Sequence, residues 1–100
     1  MRALDAHTWH VMDAMADDWE SIAQIRPHVE GYCGVTTNDR IFDTLRSLHS
    51  DGLIEIMEVG AHSNSVFPAS DARNTAWFCM TDAGRALRDA QGEAFRDEQI

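Results

Sequence analysis

Apolar positions in the first half of the chain recur at helical spacing. Trp9, Met12, Met15 and Ala16 form one stripe, and Asp5 can cap the helix that carries it to about Asp17. Leu4 and Trp9 take the flanking positions of a hydrophobic staple. Asp17-Asp18 then breaks the pattern and opens a shorter helix. Ile22, Ile25 and Val29 supply its inner face, with Trp19 packed beneath. Pro27 cannot donate to position 23, so this helix is expected to kink or end nearby, and EGYCGV (residues 30–35) reads as a turn.

The third helix is the best punctuated. Thr36-Thr37-Asn38-Asp39 offers Thr36 as cap with Asp39 three residues on, and Thr37 serves nearly as well. Ile41, Leu45 and Leu48 point inward, with Phe42 at the margin. Gly52 suits the left-handed position after the last turn, which brings Leu48 and Leu53 together as the hydrophobic pair of a Schellman ending.

Beyond Gly52 the period changes to two. LIEIMEV (53–59) sets Ile54 and Ile56 against Glu55 and Met57. TAWFCM (75–80) alternates Ala76, Phe78 and Met80 with Trp77 and Cys79. The Ser- and Asn-rich stretch between them reads as a long hairpin loop over 60–74. Thr81 caps a last helix with Ala83, Ala86, Leu87 and Ala90 along it, weakened at Gly92 and fraying towards the end. The order predicts an α+β fold, mainly α: one domain over 1–100 with its core at about 4–91. A two-stranded β-hairpin alone is marginal, so it must pack on the helices.

Composition narrows the chemistry. Seventeen acidic residues face eight basic ones, a net charge of −9, and every basic residue is Arg. Lysine chemistry is therefore excluded, and no third of the chain has a basic balance. Such a charge weakens nonspecific attraction to nucleic acid or anionic membrane. No apolar run approaches a membrane span and no signal peptide is evident, so a cytoplasmic location is expected. Cys33 and Cys79 make no disulfide framework. Cys79 is expected to be an inert buried thiol and Cys33 the more accessible one.

Two stretches resemble the winged helix-turn-helix superfamily, in particular MarR- and PadR-like bacterial or phage regulators. LRSLHSDGLIEI (45–56) looks like the end of a recognition helix and the first wing strand. FCMTDAGRAL (78–87) looks like the closing strand and the helix that follows. The likeness covers roughly residues 19–90. It implies a winged helix-turn-helix with a two-stranded β-hairpin wing, double-stranded DNA as partner, a homodimer, and a recognition helix over about 37–50 in the major groove. Carried over by position, the contacts are Thr37, Asn38, Arg40, Asp43 and Arg46, with Arg73 in the wing at 60–74. Arg40 and Arg46 would reach guanine edges and Asn38 an adenine.

Three other readings stand beside that one. Arg40 and Arg46 pair equally well with Asp39 and Asp43 as solvated helix neighbours. An acidic face of Asp17, Asp18, Glu20, Asp39 and Asp43 would instead suit a basic protein partner, as in a phage-type inhibitor that mimics DNA. Trp9, Met12 and Met15 read as core or dimer surface, and Trp19 and Trp77 as core. Either terminal helix offers a dimer contact, through Trp9 and Met12 or through Leu87 and Ala90. His7 and His10 lie one turn apart and His28 lies five before Cys33; neither spacing makes a zinc signature, so neither metal nor cofactor is expected. With no paired nucleophile and base and no phosphate loop, enzyme activity is not expected either.

Overall fold

The computed structural model describes residues 2–16, 18–58, 63–64 and 76–96. Four helices and an antiparallel sheet follow in the order α1 (Ala6–Ala14), α2 (Ile22–Cys33), α3 (Asn38–Ser50), β1 (Ile54–Glu58), β2 (Ser63–Asn64), β3 (Ala76–Met80) and α4 (Asp82–Arg96). The fold is mainly α, and β1 and β3 pair as an antiparallel hairpin from Ile54 opposite Met80 to Glu58 opposite Ala76. The arrangement resembles a winged helix.

Helix α1 starts where the sequence implies. The Asp5 carboxylate accepts the Thr8 amide at 2.8 Å, and hydrogen bonding from the Thr8 side chain and then from this amide holds its pKa below the usual carboxylate value. The helix ends at Ala14 rather than near Asp17, because the Met15 and Ala16 amides turn back to the Met12 and Asp13 carbonyls. It has no single buried stripe. Residues 7–12 are all buried, since α1 packs on α2, α3 and α4. Trp9 and Met12 are thus enclosed within one chain, and neither is a dimer surface.

The α1–α2 connection differs from the sequence reading. Asp18 does not open a helix. Glu20 pairs with Phe78 through two backbone hydrogen bonds of 2.9 and 2.8 Å, so this segment lies along β3. Helix α2 begins after Ser21, whose amide donates to the Gln24 side chain at 2.9 Å. It also runs straight through Pro27. Pro27 and Ala23 are both exposed, so water can satisfy the carbonyl that the missing N–H leaves open. The turn expected over 30–35 is correspondingly short. The helix continues to Cys33 and stops at Gly34, whose φ of 84° is in the left-handed region.

Thr37, not Thr36, caps α3: its hydroxyl accepts the Arg40 amide at 3.1 Å. Thr36 is buried, its amide donates to the Glu30 carboxylate, and its hydroxyl has no partner among the described residues. At the other end both Schellman bonds form. The Leu53 amide donates to the Leu48 carbonyl and the Gly52 amide to the His49 carbonyl, each at 3.0 Å, with Gly52 at φ 73°. Thr81 ties this corner to α4. Its hydroxyl donates to the Gly52 carbonyl at 2.8 Å and accepts the Gly84 amide at 3.1 Å, while its own amide donates to Leu53.

The buried side of α4 is Gly84, Leu87 and Gly92, with Arg88, Gln91 and Phe95 half-buried beside them. Of the apolar residues read along this helix only Leu87 is buried; Ala83, Ala86 and Ala90 are exposed. Close approach to the Leu53 backbone demands a glycine at 84, and that need outweighs the apolarity of the alanines. Within the stretch read as loop, Ser63–Asn64 forms a short strand on the other edge of β1, which makes the order β2-β1-β3. Two polar residues carry no alternation to announce a strand. The remainder of the 60–74 wing, with Arg73, lies outside the described residues, as does Asp17. Trp19 and Trp77 are half-buried rather than core, while Cys79 is buried and Cys33 exposed.

Candidate nucleic-acid interface

Helix α3 follows α2 across a short turn, an arrangement that resembles a helix-turn-helix, and its outward face is the candidate surface. Ile41, Phe42, Leu45 and Leu48 fix its orientation by burial against the core. At about 100° per residue, the exposed arc then runs from Arg46 through Asp39, Asp43 and Ser47 to Arg40. The two arginines sit at its margins and the two aspartates between them.

Each side chain on this face has a different freedom. Arg46 lies 3.6 Å from the Asp43 carboxylate, with its guanidinium 5.3 Å over the Phe42 ring. Both ions are more than half exposed, so solvent screens the pair and it constrains Arg46 weakly. Asn38 is half-buried, and its side-chain carbonyl accepts from Arg26 at 3.2 Å. A bidentate reading of adenine needs that carbonyl, so Asn38 must leave Arg26 to make one. Arg26 also lies 3.4 Å from Glu30, whose other oxygen receives the Thr36 amide. The turn before α3 is thus held by a chain of charged hydrogen bonds.

Arg40 differs. It is exposed, and among the described residues its guanidinium makes no hydrogen bond or ion pair. Its backbone is well anchored. The Thr44 hydroxyl donates to the Arg40 carbonyl at 3.0 Å and therefore accepts from His7 Nε2, also at 3.0 Å. Burial, helped by the Arg40 charge, lowers the His7 pKa from its ordinary 6.5. Thr37 and Arg40 stand together at the helix N-terminus, where the backbone dipole also favours an anion.

The proposed acidic patch divides between elements. Asp39 and Asp43 lie on α3, whereas Asp18 is exposed in the α1–α2 connection and Glu20 is half-buried beside β3. Sequence reading missed Arg26, because its role depends on α2 meeting the start of α3. It also missed a cluster that could hold a metal ion: one ligand atom each from His10, Asp13 and His28, all within 4.8 Å of one another. His10 and Asp13 are three apart on α1, a detectable signal; the contribution of α2 was not.

Comparison with known proteins returns no match: no family model covers the chain, and no curated protein or solved structure is significantly similar to it.

Proposed function

We propose that this chain is a winged-helix DNA-binding transcription regulator of the MarR/PadR kind, acting in the cytoplasm as a homodimer. The reading is carried by Arg40: an exposed guanidinium without a partner among the described residues, beside the capped N-terminus of the second helix of a helix-turn-helix. Thr37 and the helix N-terminus would meet a phosphate, Arg40 and Arg46 would reach base edges from the two margins of α3, and Arg73 would act from the wing. Two or three arginines are few for a duplex, so dimerisation has to double them. With Trp9 and Met12 enclosed, the exposed side of α4 along Ala83, Ala86 and Ala90 is the terminal-helix face left for pairing. Arg40→Ala with Arg46→Ala should abolish DNA binding while leaving helix content and Tm unchanged. Site binding that survived both changes would remove α3 as the reading helix.

A second reading has its own observation. The middle of the α3 arc is acidic, and with a net charge of −9 that surface suits a basic protein groove. On this account, Asp39→Arg with Asp43→Arg destroys partner binding, and an unchanged affinity dismisses it.

A further inference from the structure

We propose that His10, Asp13 and His28 form a binding site for a divalent transition cation of the zinc type, clamping α1 to α2. The donor set, two imidazoles and one carboxylate, is the chemistry such ions select. The geometry is near that of a bound state. His28 Nε2 lies 3.3 Å from Asp13 Oδ2, and two ligands on a tetrahedral zinc are separated by about 3.3 Å. The full set spans no more than 4.8 Å. Side-chain rotation alone can bring the third ligand in, and the fourth position is left for water or another small ligand.

The surroundings favour an ion over a simple His28–Asp13 contact. His28 Nε2 is enclosed yet makes no hydrogen bond, since its approach to Asp13 lacks the geometry for one. The Tyr32 ring stacks on His10 at 4.5 Å and 4°, and stands 5.1 Å from His28, so it walls one side of the cluster. Arg88 approaches the other Asp13 oxygen, Oδ1, at 3.5 Å. It is more closely engaged with Asp89 at 2.8 Å and leaves Oδ2 facing the histidines. Asp13 thus has an outer partner that orients it, as metal-bound carboxylates have. The acidic surface raises the local concentration of cations. Because the ligands come from both helices, occupancy stabilises the α1–α2 contact, which buries Val11, Met12, Ile22 and Ile25.

The test is a cobalt(II) titration of the purified, EDTA-treated chain, followed by visible absorption, with thermal melts in zinc alongside. The site predicts a one-to-one complex with nitrogen and oxygen ligands and no thiolate charge-transfer band. Zinc in large excess over its Kd should raise Tm by about 5 °C or more. His28→Ala and Asp13→Asn should each weaken cobalt binding by more than the roughly 10–100-fold that loss of an outer partner causes. Both positions are partly exposed, so both variants should fold. His49→Ala, on α3, should bind as the unaltered chain does. No cobalt spectrum at stoichiometric metal overturns the proposal. So does undiminished affinity in His28→Ala, a thiolate band from Cys33, or loss of binding in His49→Ala.

Discussion

Two glycines at the α3–β1–α4 corner do different work, and substitution separates them. Gly52 stands at φ 73° with open space where a Cβ would go, so alanine there meets only backbone strain. Gly52→Ala should cost about 1–2 kcal/mol in urea unfolding. Gly84 has ordinary helical geometry, but a Cβ would overlap the Leu53 carbonyl oxygen, which the Thr81 amide already holds at 3.1 Å. Gly84→Ala should cost at least about 2 kcal/mol although alanine is the better helix former. Thr36 offers the opposite case. Its buried hydroxyl is unpartnered, so Thr36→Val should be neutral or stabilise by up to about 1 kcal/mol. Acid stability should depend on His7. Its folded pKa lies below the unfolded 6.5, so the unfolded chain binds the extra proton. Its stabilising contribution is complete above that value and is lost as pH falls from 6.5 through the folded pKa. His7→Gln should flatten unfolding free energy against pH in that window, and an unchanged slope there would contradict the assignment.

At the scale of elements, legibility followed the range of the interaction. The Leu48–Gly52–Leu53 ending, the inward face of α3, both long strands and the Asp5 cap were all readable, because each is set by neighbours within about one or two turns. What long-range packing decides was not. Glu20 joins β3 because Phe78 offers it a free backbone edge, and α1 is buried all round because three helices surround it. On α4 two of the buried positions are glycines, and Gly84 is there for close approach to Leu53, which an apolar pattern cannot show. The candidate interface divides the same way. The exposure of Arg40, Asp43 and Arg46 was legible within one helix, whereas Arg26 on Asn38 and the His10–Asp13–His28 cluster needed the packing of α2. The α3 arc carries its own prediction. Neutralising its centre with Asp39→Asn and Asp43→Asn should tighten binding to mixed-sequence duplex severalfold at low salt, read by fluorescence anisotropy.

For the whole molecule, shape and charge pull apart. The described residues form a small α+β fold that resembles a winged helix, with no helix long and apolar enough to cross a membrane. That shape leaves the outward face of α3 exposed, while the net charge of −9 opposes any long-range attraction to DNA. Under the proposed DNA-binding function, the protein must rely on a few short-range contacts at a defined site, with weak nonspecific binding as the consequence. The most direct measurement is therefore binding to mixed-sequence duplex DNA at low salt, repeated at moderate salt. Contact through Arg40, Arg46 and the helix N-terminus predicts weak but detectable binding at low salt that falls steeply as salt rises. No binding at low salt would contradict it and shift the account to the acidic face of α3 and a basic protein partner.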